Sequence, residues 1–183
     1  MLFRSEILQI ADKDKEKGFR CLIERYQEPL YWHVRRMLPG HDDAEDVLQE
    51  TFLRAYKHWG SFKGSSKLST WLYKIATNEA LRFLEKNKHT LLPLDDLERV
   101  PEVEWQDNEA DAESAERLVI LQKAIRQLPE RQRLVFNLRY YDELDYADIS
   151  EILETQVETL KTNFFYAKEN IKKYIQKYYD ERI

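Results

Sequence analysis

From Lys15 to Lys88 the apolar positions return at helical spacing. Phe19, Leu22, Ile23, Tyr26, Leu30 and Val34 mark one stripe, which Pro39-Gly40 ends. Asp42 or Asp43 is placed to cap the next helix, with acids in its first turn where the helix dipole favours them. Val47, Leu48, Thr51, Phe52, Ala55, Tyr56 and Trp59 form a second stripe, stopped by Gly60. A polar loop, Ser61 to Lys67, precedes a third helix that Ser69 is placed to cap, with Leu72, Ile75, Ala76, Ala80 and Phe83 facing inward. The pattern then lapses and resumes near Ala112. Leu118, Leu121, Ile125 and Leu128 line a helix ended by Pro129, a residue that also suits the first position of the next. Leu134, Val135, Leu138 and Tyr141 line that one, and Tyr146, Ile149, Ile152 and Leu153 a short one. After a break at Glu154-Thr155-Gln156 a long helix carries Val157, Leu160, Phe164, Ala167, Ile171 and Tyr174.

The lapse changes the picture from one helical body to two. Residues 90–116 hold ten acids against Arg99, with Pro93 and Pro101 among them. Such a segment buries too little apolar surface to fold alone and reads as an acidic, flexible linker that turns helical near its end. The expected fold is all-α, with two small helical domains. The expected boundaries are an N-terminal extension 1–15, a first domain 16–88, the linker 89–115, a second domain 116–178 and a tail 179–183.

Charge and composition then exclude more than they assign. A net charge of −5 over 183 residues rules out simple adhesion to nucleic acid. With one cysteine, Cys21, no intrachain disulfide and no cysteine-based zinc site can form, and a partly buried structural thiol is expected. Arg4, Glu6, Asp12 and Asp14 interrupt the apolar residues at the N-terminus, so no signal peptide is read there. No stretch is long enough to span a bilayer. A cytoplasmic protein without membrane contact is expected. His33, His41, His58 and His89 lie apart, and neither a glycine-rich phosphate loop nor a nucleophile elbow occurs. No catalytic residue, metal or cofactor is expected, and the His41–Glu45 pair reads as a surface contact.

Three faces remain that could carry function. The last two helices read as a helix-turn-helix, whose second helix would enter a major groove with Lys161, Thr162, Asn163, Phe165, Tyr166 and Lys168 off the apolar stripe. An ordinary helical hairpin with a solvated lysine face is the alternative. Residues 61–88 hold six lysines or arginines against Glu79 and Glu85. Trp71, Lys74, Asn78 and Arg82 share a helix face there, a mixture suited to stacking and bonding unpaired bases. The competing reading makes Trp71 partly buried core. Asp46, Gln49, Glu50 and Leu53 form an acidic row with an apolar residue, which would repel DNA yet suit a basic partner helix; a solvated face is the default for such charges.

The order of these segments resembles a known family. The run Asp42-Asp43-Ala44-Glu45-Asp46-Val47-Leu48-Gln49-Glu50-Thr51-Phe52-Leu53-Arg54-Ala55-Tyr56 is similar to the core-binding segment of bacterial sigma factors. Phe62-Lys63-Gly64 and the run from Leu68 to Asn78 resemble the promoter-melting and −10-reading segment. Leu128-Pro129-Glu130-Arg131-Gln132-Arg133 resembles the opening of the second conserved domain, and the hairpin through Leu160-Lys161-Thr162 the −35-reading element. With two domains and a short linker, the match is to the extracytoplasmic-function (ECF) group.

The resemblance implies a factor that directs promoter-specific initiation without catalysis of its own. Asp43, Asp46, Gln49, Glu50 and Leu53 would dock on core RNA polymerase. Phe62, Lys63, Gly64, Ser65, Ser66, Lys67, Leu68, Ser69, Thr70, Trp71, Lys74 and Asn78 would melt and hold the −10 element. Gln156, Thr159, Lys161, Thr162, Asn163, Tyr166 and Lys168 would face the −35 duplex. The implied partners are core polymerase, promoter DNA and an anti-sigma factor. A repressor or activator acting outside polymerase is the alternative. The sequence departs from the family pattern where Glu154 and Thr155 replace a glycine and an apolar residue, Ser150 replaces a common alanine, and Glu158 stands near the groove. Glu154 in a left-handed turn would cost about 1–2 kcal/mol.

Linker length supports a scaffold. A tether of about 27 residues has a coil span of roughly 30 Å and a stretched limit near 90 Å. Promoter elements a little over two turns apart lie roughly 70–85 Å from each other. A free chain would have to extend almost fully to hold both, so weak promoter binding without polymerase is expected.

Overall fold

The computed structural model describes residues 4–62, 64, 66–88 and 112–181, and among these every regular element is helical. The chain divides into two compact units, Met1–Lys88 with the short stretch Glu151–Leu153, and His89–Ser150 with Glu154–Ile183. Of the expected linker 89–115, residues 89–111 lie outside the described residues, and residues 112–115 are the first turn of a helix.

The first unit is built from α1 (Arg4–Lys13), α2 (Lys15–Arg35), α3 (His41–His58), a 3₁₀ turn (Trp59–Ser61) and α4 (Leu68–Asn87). The stretch expected as an extension is instead a helix. Ile7 is fully buried and Ala11 nearly so, because α1 packs along α2. The reversal between them is set by Asp14, whose carboxylate accepts from the Lys17 amide at 3.0 Å and caps α2. Helices α2, α3 and α4 pack on one another around Leu22, Leu30, Val34, Ala44, Val47, Ala55, Leu68, Leu72, Ala76 and Ala80. Burying a leucine or isoleucine in such a core contributes roughly 1.5–3 kcal/mol. Phe19 of α2 meets Phe52, Tyr56 and Trp59 edge-on, at centroid distances of 6.4, 5.1 and 5.9 Å. His33, fully buried, bonds the Thr77 hydroxyl at 2.9 Å and ties α2 to α4.

Several local expectations need correction. Gly40 occupies the N-cap of α3 without a side-chain bond, so neither Asp42 nor Asp43 caps it; both lie in its first turn. Helix α4 begins at Leu68 with Lys67 at its cap, two residues earlier than a Ser69 cap requires. Ile75 and Phe83 are only half-buried, while Tyr73, Thr77 and Glu79 are buried because α2 and α3 cover a wider arc of α4 than the aliphatic stripe marks.

The second unit holds α5 (Ala112–Arg126), α6 (Glu130–Tyr140), α7 (Tyr146–Leu153) and α8 (Val157–Asp180). Its core joins Ala124, Ile125 and Leu128 to Phe136, Ala167 and Ile171, with Leu121, Tyr141, Phe164, Tyr174 and Ile175 against it. Leu118, placed on the α5 stripe by periodicity, is exposed, and Ile120 is buried in its stead. Pro129 is the N-cap residue of α6 rather than its first helical residue. Arg133 closes the α5–α6 corner by donating to the Arg126 carbonyl at 3.1 Å. Arg139 does the same for the α6–α7 turn, reaching the Leu144 carbonyl at 3.0 Å past Glu143, whose φ is +53°. Helix α8 runs through Asp180, past the point where a tail was expected.

Candidate nucleic-acid and partner interfaces

On α3 the core positions leave one face outward. Asp46 and Gln49 are exposed, and Leu53 on the same face is 49% exposed. Asp43 is half-buried, its carboxylate folded toward Gly40. Glu50 is half-buried and paired with Arg54 at 3.0 Å. Beside this row, α2 and α3 enclose an open cleft of about 490 Å³ lined by Ile23, Tyr31, Leu48 and Phe52, with Glu28 and Glu45 also on its wall. Sequence periodicity missed the cleft, since residues of two different helices line it.

The loop before α4 is organised by aromatic rings. Phe62 lies 5.0 Å from Trp71, and Trp59 lies 6.4 and 6.2 Å from these two. All three are half-buried, so Trp71 is both part of the packing and open to solvent. Trp59 escaped the candidate set because its own helix stripe accounted for it. Gly64 takes φ +70°, a conformation open to glycine at little cost, and is exposed with Lys67. Ser66 and Ser69 are half-buried. Lys63 and Ser65 lie outside the described residues. Leu68 and Thr70 are fully buried and are withdrawn as DNA contacts; they anchor the start of α4 in the core. Further along the helix Lys74 is half-buried and Asn78 exposed.

In the second unit Asp145 caps α7, accepting from the Asp148 amide at 2.8 Å. Glu154 ends α7 in the left-handed region, at φ +51° and ψ +42°. Gln156, exposed, stands at the N-cap of α8 without a side-chain bond. Thr159, Lys161, Thr162, Tyr166 and Lys168 are exposed along α8, and Asn163 is half-buried. The Thr162 hydroxyl donates to the Glu158 carbonyl at 2.9 Å, which leaves it an acceptor for an incoming donor. Glu158 also draws Lys161 to 3.6 Å. Lys168 lies over the Phe164 ring at 5.1 Å. Phe165, placed off the apolar stripe by the sequence, is 55% exposed beside Tyr166 and belongs to the same surface.

Among the described residues His41, Asp42 and Glu45 bring three potential metal-ligand atoms together, all on exposed side chains. Both His41 ring nitrogens are engaged, Nδ1 with the Tyr31 hydroxyl at 2.7 Å and Nε2 with Glu45 at 3.3 Å. The cluster is thus a surface contact bridging α2 and α3.

The fold defines a two-unit helical protein whose second unit carries a helix-turn-helix, the architecture of a DNA-binding protein. Family models agree: one for sigma-70 region 2 matches residues 22–90, and one for sigma-70 region 4 matches residues 118–171. The chain is 32% identical over 184 residues to the ECF RNA polymerase sigma factor SigW of Bacillus subtilis (strain 168), covering 96% of this chain and 98% of the relative. Similarity to the ECF RNA polymerase sigma-E factor of Escherichia coli (strain K12) is 32% over 179 residues, with 93% of each chain covered. Among solved structures, CnrH in complex with the cytosolic domain of CnrY superposes with a TM-score of 0.68 at 16% identity, over 93% of this chain and 94% of that one. The sigma factor RpoE, in complex with the anti-sigma factor NepR from Bartonella quintana, gives 0.68 at 20% identity, over 87% and 98%. The chain belongs to the ECF group of the sigma-70 family, whose members direct RNA polymerase to promoters. No helix among the described residues is long and apolar enough to cross a membrane.

Proposed function

We propose that this sigma factor divides its work among the three faces. Asp46, Gln49, Glu50 and Leu53, flanked by Asp43, dock on core polymerase, the acids meeting cations and Leu53 filling an apolar seat. The loop from Phe62 and the side chains of Trp71, Lys74 and Asn78 hold unpaired bases of the −10 element against the Trp59–Phe62–Trp71 rings. Gln156, Thr159, Lys161, Thr162, Asn163, Tyr166 and Lys168, with Phe165 beside them, face the −35 duplex. The factor itself catalyses nothing and works in the cytoplasm, where polymerase performs the chemistry. An anti-sigma protein restrains it, as the complex of RpoE with the anti-sigma factor NepR suggests.

The observation that carries this reading is the half-exposed Leu53 in an acidic row, on a unit whose α4 presents Asn78. Run-off transcription with added core polymerase tests it. The wild-type protein gives promoter-specific transcripts, and Asp46→Asn combined with Leu53→Ala lowers core affinity by roughly tenfold or more, as for a buried hot spot at an interface. Unchanged affinity and transcription in that variant would refute the docking assignment.

A further inference from the structure

Four charged side chains cross the first unit from α3 to α4. Glu50 pairs with Arg54 at 3.0 Å, and Arg54 with Glu79 at 2.9 Å. Arg82 Nη1 donates to the same Glu79 Oε1 at 2.6 Å. Glu79 is only 7% exposed. A carboxylate so placed keeps its charge only with cations at hand, and here two guanidiniums converge on one oxygen. The Arg54 Nε–H points squarely at neither carboxylate, so Arg54 neutralises Glu79 as an ion pair without a directed bond. The Arg82 bond is directed, and it fixes one edge of a planar fork that has five donors. The Arg82 side chain nevertheless stays 63% exposed.

A guanidinium held at one edge and open at the other is preorganised for an anion. Arg82 lies one helical turn beyond Asn78, about 6 Å along the α4 axis. We propose that Arg82 binds a backbone phosphate of promoter DNA next to the nucleotides held at Asn78, and that Glu79 is the positioning residue that aims it. Arg54 makes the arrangement possible by neutralising Glu79 from the α3 side. The inference rests on the promoter-facing reading of α4 and adds to it a residue and a class of contact: a phosphate, so independent of base sequence.

The test uses holoenzyme assembled from this protein and core polymerase, with promoter retention measured against KCl concentration. Arg82→Gln lowers promoter affinity several-fold at moderate salt and flattens the log–log salt slope by about 0.7–0.9, the release expected for one phosphate contact. Arg82→Lys restores the slope. Glu79→Gln keeps the cation but loses its aim, so affinity falls while the slope stays that of wild type. Core binding by the free protein is unaffected by Arg82→Gln. An Arg82→Gln holoenzyme with the wild-type slope overturns the phosphate contact, and wild-type affinity in Glu79→Gln overturns the positioning role. If Asn78→Ala impairs promoter opening while Arg82→Gln changes nothing, only this inference fails. If wild-type holoenzyme retains no promoter at all, the underlying reading of α4 fails first.

Discussion

The Ser150 hydroxyl donates to the Thr155 carbonyl at 2.7 Å, across the turn between α7 and α8. The Thr155 amide returns to the Ser150 carbonyl at 3.3 Å, so the two residues bracket Glu154, whose φ is +51°. A non-glycine residue in that conformation costs about 1–2 kcal/mol, and a net hydrogen bond offsets about 1 kcal/mol of it. The serine that departs from the family pattern thus compensates the glutamate that also departs from it. Ser150→Ala is expected to destabilise the turn by about 1 kcal/mol, and Glu154→Gly to stabilise it by a similar amount. Amide hydrogen exchange at the end of α7 and the start of α8 measures both. Faster exchange in Glu154→Gly would show that the left-handed residue is not strained.

A second prediction concerns the α1–α2 contact. A Cβ built on Gly18 would lie 2.4 Å from the Cα and Cβ of Ala11, and 2.6 Å from its backbone nitrogen. Two effects of Gly18→Ala therefore oppose each other. Alanine gains about 1 kcal/mol of helix propensity, while overpacking against backbone costs typically 1–3 kcal/mol. Backbone cannot swing aside as a flexible side chain can, so the clash is expected to prevail and α1 to lift from α2. Urea denaturation would show a lower midpoint, and exchange would quicken in α1 before the rest of the unit. A raised midpoint would mean that the helices separate at no cost.

The buried His33–Thr77 bond allows the polar link between α2 and α4 to be weighed. His33→Leu leaves the Thr77 hydroxyl without its 2.9 Å partner, and is expected to cost about 1–3 kcal/mol. Adding Thr77→Val removes the orphaned group too, so the double variant should recover much of that loss. Trp32, Trp59 and Trp71 lie in this unit, and their fluorescence reports its urea unfolding. Additive losses in the double variant would show that the two side chains are energetically independent.

Periodicity placed most helices because their apolar positions face one neighbour: Leu22, Leu30 and Val34 on α2 and Leu160, Ala167 and Ile171 on α8 are buried as the stripes require. It failed where burial depends on a second helix. Leu68 and Thr70 look like loop-edge residues in sequence, yet α4 starts at Leu68 and both are sealed. Ile7 and Ala11 sit among charged residues, and only the glycine at 18 lets a helix come close enough to cover them. The family motifs assign expected roles to the α3 row, the loop before α4 and the α8 surface by their order along the chain. They could not locate the Glu50–Arg54–Glu79–Arg82 chain, because its members come from two helices and meet only on folding.

Asn78 offers the sharpest test of the proposed contact between α4 and DNA. It is exposed, and its amide supplies two donors and an acceptor, the complement of a base edge that is available only once a pair has opened. Duplex capture draws instead on cations, which act on phosphates whether or not the strands have parted. The two stages of initiation should then respond differently to Asn78→Ala. Closed-complex affinity, measured at low temperature by retention of duplex promoter, is expected to stay near wild type. The open fraction, read by permanganate reactivity of unpaired thymines, should fall about tenfold, the equivalent of one bidentate base contact at the lower end of its 1–3 kcal/mol range. A parallel Lys74→Ala variant should weaken both stages, since a cation assists before and after melting. Equal losses at the two stages in Asn78→Ala would assign that amide to the duplex and remove it from base capture.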